Sequence, residues 1–162
     1  MDLRHQPPPD RGRRPPSRLI PDRFEWTRAP GIGPPLSVLG DLTGRRVLEL
    51  GCGSGHNLAH LAYQHGALAV GVDHDPAKID RARETYREIP GLSFVQSDAT
   101  AFLGSQPSGS YDLVLSIFGA FSFTDPLPLT AHSARVLRPG GRLALTLRTT
   151  DRTDQVVILL RR

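Results

Sequence analysis

The stretch LELGCGSGHNLAH, Leu48 to His60, sets Glu49 ahead of Gly51, Gly53 and Gly55 and places the chain's only cysteine, Cys52, close to His56 and His60. Three chemistries fit such residue types. Closely spaced glycines between a strand and a helix let the backbone approach a ligand and aim N–H groups at it. A cysteine near a helix N-terminus with a histidine four positions on is a nucleophile and base pair. Histidines at i and i+4 share a helix face, as zinc ligands do.

Spacing separates the three. Glycine cradles for dinucleotides follow G-x-G-x-x-G, but the third glycine falls on His56 when counted from Gly51 and on Leu58 when counted from Gly53. The motif is E-x-G-x-G-x-G, a cradle that need not hold a pyrophosphate. The zinc-protease pattern H-E-x-x-H has Asn57 where glutamate is required, and no third ligand clusters nearby, so no metal is expected. A small apolar residue suits a tight glycine turn, so Cys52 is expected to pack as a small hydrophobe. His56 then reads as a helix-start residue and His60 as a surface one. Two further acids complete the set, Asp73 and Asp98, each at or just after the end of an apolar run. Either acid has a bland reading as a cap or turn residue, although Asp75, just before Pro76, fits a cap better than Asp73 does.

These residues need elements to hold them. Val47–Leu50, Ala67–Val72, Ser93–Val95, Leu113–Ile117 and Arg142–Leu147 read as buried strands. Between them, Asn57–His65 carries Leu58, Leu61 and Ala62 on one helical face with Gly66 as its stop, and a helix opening at Asp75-Pro76 turns Ile79, Ala82 and Tyr86 inward. A third helix is expected from about Leu129 to Leu137, ending at Arg138-Pro139-Gly140-Gly141. Alternating strands and helices predict an α/β three-layer sandwich, a mostly parallel, doubly wound sheet with ligands at the carboxyl ends of its strands. Glu49 and the glycines, Asp73 and Asp98 all fall there. The VVILL run at Val156–Leu160 is expected to fold back as an antiparallel edge strand, with residues 149–155 as its hairpin connection.

At 162 residues the chain has room for one domain. Its composition divides it into a disordered Pro/Arg-rich tail (1–22), a docked lead-in segment anchored by Phe24, Trp26 and Ile32 (23–45), and the core (46–162). No apolar run is long enough to span a membrane, and the N-terminus lacks a signal-like stretch, so a cytoplasmic protein without a membrane partner is expected. A lone cysteine forms no internal disulfide. The net charge is +4, but nearly all the basic residues are arginines, and beyond the tail these alternate with acids, the pattern of a solvated helix face, so nucleic acid is not the expected partner.

Taken in order, VLELGCGSGHNLAHLA, GVDHDPAKIDRAR, FVQSDAT, YDLVLSIFGAF and RVLRPGGRLALTL resemble the core of the class I (Rossmann-like) S-adenosylmethionine-dependent methyltransferases across Arg46–Leu147. EWTRAPGIGPP is similar to the lead-in of methyltransferases from actinobacterial natural-product pathways. The resemblance implies S-adenosyl-L-methionine as cofactor. Gly51, Gly53 and Gly55 would lie against its methionyl and ribose parts, Glu49 and the helix start at Asn57 near its amino-acid end, Asp73 with His74 alongside at the ribose hydroxyls, and Asp98 with Ala99 at the adenine. Ser116 to Phe118 would lie near the transferring methyl. Phe118, Phe121 and Phe123 are candidates to wall a small-molecule acceptor, and His132 is weighed as a base but reads as a surface residue; no catalytic residue is named. SIFGAF stands where the family's adenine-methylating enzymes carry N/D-P-P-Y. The family usually continues with a further helix and two strands, so a C-terminally shortened core is expected. The alternatives are a cofactor-binding, catalytically weak partner protein, or an RNA or protein methyltransferase. Oligomeric state is not legible.

Overall fold

The computed structural model describes residues 19–149 and 153–161. Most of the expected tail and the tip of the hairpin connection lie outside these residues. The strands are β1 (Arg46–Leu50), β2 (Leu68–Asp73), β3 (Leu92–Gln96), β4 (Tyr111–Ile117), β5 (Leu137–Arg148) and β6 (Asp154–Leu160); the helices are α1 (His56–His65), α2 (Pro76–Thr85), α3 (Ala99–Ser105) and α4 (Pro126–Val136). They form one sheet in the order β3-β2-β1-β4-β5-β6. Its first five strands run parallel, and β6 returns antiparallel on β5 with Ala144 opposite Ile158, as the VVILL run predicted.

Side chains alternate across the central strands, and both faces are covered, which is why these strands read as nearly unbroken apolar runs. Val47, Leu113, Leu115 and Ala144 face α1, α2 and the lead-in segment. Leu48, Leu50, Val114, Leu143 and Leu145 face α3 and α4. Leu48 and Leu50 are wholly buried, and each such side chain contributes about 1.5–3 kcal/mol.

Local signals explain the helices. Asp75 Oδ1 accepts from Ala77 N–H (2.9 Å) and Lys78 N–H, and Pro76 opens α2. The same Asp-Pro pair opens α4 at Asp125-Pro126, so this helix starts earlier than the expected Leu129. Gly66 ends α1 in the left-handed conformation, its N–H directed to Ala62 O and Leu61 O. Arg138–Gly141, expected as the stop of this helix ahead of a strand at Arg142, is instead a bulged stretch of β5: Leu137 pairs with Tyr111, Arg142 pairs with Leu113, and the register shifts between them.

The lead-in segment packs on the α1 side of the sheet, burying Ile20, Phe24 and Trp26. The Phe24 and Trp26 rings meet edge-on at 4.8 Å. Ile32 is not an anchor: it is 61% exposed. Gly33 passes so close to Trp26 that an added Cβ would lie 2.5 Å from Trp26 Cβ, and the turn at Gly31–Gly33 leaves Ile32 facing outward.

Candidate functional site

A cleft of about 870 Å³ opens at the carboxyl ends of the parallel strands. It lies beside β1, where the sheet order runs toward β2 on one side and β4 on the other. Such switch points leave a crevice between loops that diverge to opposite faces.

The three motif glycines do different things. Gly53, at φ +55, faces open space, and no atom lies within 4 Å of where its Cβ would be. Gly51 makes room for the chain leaving β4, since its Cβ would lie 2.5 Å from Gly119 Cα. Gly119 returns the constraint, because a Cβ there would overlap Leu50 O. Gly55 does not line the cleft; its missing Cβ accommodates the Phe94 ring beneath the turn.

Two carboxylates are buried at the base of the cleft. Asp73, at the end of β2, accepts from Gly53 N–H through Oδ2 and from Asp75 N–H through Oδ1, both at 2.9 Å. Those bonds fix the plane of its carboxylate and leave further lone pairs unused. His74 is exposed beside it, its Nδ1 3.6 Å from Asp73 Oδ1. Glu49 is 3% exposed, and its Oε2 has no hydrogen-bond partner. Burial first, and then the charge of Asp73, push the Glu49 carboxyl up to about 8. A buried acid pair without a compensating cation suits a ligand that carries positive charge.

At the β3 end, Asp98 caps α3 by accepting from Ala101 N–H through Oδ1 at 2.8 Å, and no described residue hydrogen-bonds its Oδ2. Its capping and cleft-facing readings therefore hold together. Ala99, the first residue of α3, also lines the cleft. At the β4 end the wall is apolar, with Ile117, Phe118, Ala120 and Phe123. Phe121 instead packs in the core on the α3–α4 face. Ser116 is wholly buried and does not line the cleft: its hydroxyl donates to Leu50 O and accepts from Phe121 N–H, bracing the turn after β4.

Sequence reasoning missed the contribution of the lead-in segment, whose Pro21, Arg23 and Glu25 line the cleft. Asn57 lines the cleft too, but its side-chain amide is engaged with the Glu25 backbone. His60 is buried, not a surface residue; its Nδ1–H donates to Pro21 O at 2.9 Å, and its Nε2 lies 3.3 Å from His65 Nε2. No local pattern encodes these contacts. Burial, aided by Glu49 and Asp73, pushes the Cys52 thiol far above its ordinary range, the reverse of an activated nucleophile. His132 is half-buried on α4 and does not line the cleft.

A family model described as a methyltransferase domain matches residues 47–141. The chain is 35% identical over 105 residues to the phthiotriol/phenolphthiotriol dimycocerosates methyltransferase of Mycobacterium leprae, covering 64% of this chain and 38% of that protein. It is 34% identical over 109 residues to an aklanonic acid methyltransferase of a Streptomyces species, covering 65% and 49% respectively. The chain thus spans less than half the length of these curated relatives. Among solved structures, the YcgJ protein of Bacillus subtilis superposes with a TM-score of 0.62 at 24% identity, over 69% of this chain and 47% of that one, a likeness of fold.

Proposed function

Because the chain belongs to the methyltransferase-domain family, we propose that it binds S-adenosyl-L-methionine in the strand-end cleft and transfers the methyl group to an oxygen, nitrogen or carbon atom of a small organic molecule. The observation that carries this reading is the buried Glu49–Asp73 pair beside the bare Gly53 backbone. Glu49 has an orphaned buried oxygen, and the cofactor brings an ammonium and a sulfonium to a cleft that holds two buried acids. Asp73, already oriented by two backbone N–H groups, has lone pairs left for ribose hydroxyls, and Asp98 Oδ2 is free for an amino donor. Ala99 packs beside it.

When bound, the cofactor supplies a methyl group already activated on sulfonium sulfur, which keeps the electron pair as the acceptor bond forms. The chain then has to orient and to exclude water. Glu49, Asp73 and Asp98 orient, while Phe118 and the lead-in segment close the sides. No base is assigned. On this reading residues 23–45 belong to the working domain. The relatives named for phthiotriol/phenolphthiotriol dimycocerosates and for aklanonic acid support a natural-product type of acceptor, and the proposal sets the reaction in the cytoplasm. Among the described residues no helix is long and apolar enough to cross a membrane.

Calorimetric titration with S-adenosylmethionine and S-adenosylhomocysteine tests the reading, with Asp73→Ala expected to weaken both by about 10- to 100-fold through loss of a charged hydrogen-bonding group. Absence of binding to the wild-type chain rejects it. Binding with no methyl transfer to any acceptor in a broad panel favours a catalytically weak partner protein instead.

A further inference from the structure

Several side chains fasten the lead-in segment to the domain. Arg28 donates to Asp154 of β6 from its side chain at 2.7 Å and from its backbone N–H at 3.1 Å, and its guanidinium lies 5.2 Å from the Phe118 ring centroid. Asn57 holds the Glu25 backbone. Pro21 is held differently, by an imidazole whose second nitrogen faces another imidazole: His60 Nδ1 lies 2.9 Å from Pro21 O, and its Nε2 faces His65.

The Pro21 carbonyl can only accept, so Nδ1 of His60 carries the proton and Nε2 of the neutral ring presents a bare lone pair. His65 is the last residue of α1. Helical side chains lean toward the N-terminus, which brings its ring back over the turn that carries His60, with the centroids 5.1 Å apart. The two Nε2 atoms end 3.3 Å apart. That exceeds the separation of about 2.7–3.2 Å common for protein N–H···O bonds. It is instead the spacing that a tetrahedral ion imposes on two imidazole ligands, because Zn–N bonds of about 2.0–2.1 Å place the nitrogens about 3.3–3.4 Å apart. The Pro21 carbonyl is the outer partner that a metal-bound histidine carries on its other nitrogen, where it fixes tautomer and ring orientation. Burial, and then the neighbouring His60, hold the His65 imidazole below its usual range, which favours the neutral form that a metal requires. His60 is buried while His65 is exposed, so the pair is reached from the His65 side. Among the described residues no group of three or more His, Cys, Asp or Glu side chains gathers to hold a metal, and water is left to fill the other positions. Two protein ligands make an exchangeable site rather than a closed structural one.

We infer that His60 and His65 form a two-histidine site for a divalent cation of the zinc type, and that the bound ion tightens the hold of His60 on Pro21. Coordination at Nε2 draws electron density from the His60 ring and makes its Nδ1–H a stronger donor to the carbonyl. His65 coordinates through Nε2 with its own proton on Nδ1, so the neutral pair binds the ion without losing a proton. Pro21 and Arg23 line the cleft, whereas His60 and His65 do not. The ion therefore stiffens one wall of the cleft from outside it. The inference uses no residue of the methyl-transfer reading and stands or falls apart from it.

The probe is zinc chloride, titrated calorimetrically into the full chain. The expected result is a saturable site that His65→Ala and His65→Gln each weaken at least about tenfold. Both changes fall at an exposed helix end, so the variants are expected to unfold in EDTA at the temperature of the wild type. Saturating zinc is also expected to slow trypsin cleavage at Arg23 several-fold in the wild type and to leave both variants unaffected. Absence of saturable zinc binding, unchanged zinc affinity in the variants, or cleavage at Arg23 that responds to zinc in neither form or equally in all forms overturns the inference.

Discussion

Asn57 and Glu25 exchange two hydrogen bonds across 32 residues of sequence: Asn57 Nδ2 donates to Glu25 O and Glu25 N–H donates to Asn57 Oδ1, each at 3.0 Å. The side-chain amide acts as a strand partner would, and it pins the lead-in segment to the first turn of α1 at the edge of the cleft. Asn57→Ala removes both bonds and is expected to lower stability by about 1–3 kcal/mol. Trypsin cleavage at Arg23 and Arg28, followed under native conditions, should accelerate. An unchanged cleavage rate would mean that Phe24 and Trp26 hold the segment without the amide.

Glu49 makes stability depend on pH with a definite sign. Its folded pKa, about 8, lies above the ordinary 4.5, so between those values the folded state binds more protons than the unfolded one. Stability from this group is therefore full at low pH and falls as pH rises through that window. Glu49→Gln should flatten the slope, so that the variant gains in melting temperature relative to wild type at pH 8.5 and gains little at pH 5. Binding a cationic cofactor favours the charged form, so titrations in buffers of different ionisation enthalpy should show proton release near pH 7 in the wild type and none in Glu49→Gln.

The motif glycines are expected to fail in different ways when replaced by alanine. Gly53→Ala meets no atom and costs only its left-handed backbone, about 1–2 kcal/mol, so the chain should fold yet bind S-adenosylhomocysteine weakly. Gly55→Ala drives a methyl into the Phe94 ring and adds about 1–3 kcal/mol of overpacking to the same backbone cost. Denaturant unfolding alongside calorimetry separates the two. Comparable folding losses in both variants would contradict the open space at Gly53.

Cys52→Ala should leave cofactor affinity within a few-fold of wild type. The thiol of Cys52 is held protonated by burial and by the two neighbouring acids. Iodoacetamide should therefore alkylate native Cys52 far more slowly than the unfolded chain. Rapid labelling of the native protein would revive the nucleophile reading.

What was legible in the sequence were features written locally. Alternating apolar runs gave the strands, and Asp73 and Asp98 fell where the strand ends had to converge. The Asp75-Pro76 signal predicts its cap and Asp98 is legible as a cap, whereas the equivalent Asp125-Pro126 goes unused and α3, the helix that Asp98 opens, is not foreseen. Gly51, Gly53 and Gly55 look alike in sequence, and only the packed neighbours, Gly119, open space and Phe94, tell them apart. Likewise, His60 sits at a helical position that a surface residue also fits, and nothing within α1 announces the Pro21 carbonyl above it. The polar half of the cleft was readable because it lies on consecutive βα units. Its lead-in wall was not, because that wall arrives from a segment without periodicity.

The Arg28–Asp154 clasp joins positions 126 residues apart. The βα units close much shorter loops and are favoured to form before it. The penalty for so distant a closure grows only logarithmically, by about 0.6 kcal/mol per doubling of length, so the clasp is late in folding rather than weak. Until β6 has joined the sheet, Arg28 lacks the carboxylate that fastens it over the Phe118 ring, 5.2 Å from the ring centroid. The Phe118 side of the cleft is thus completed by the far edge of the sheet, and its shape depends on that edge being in place.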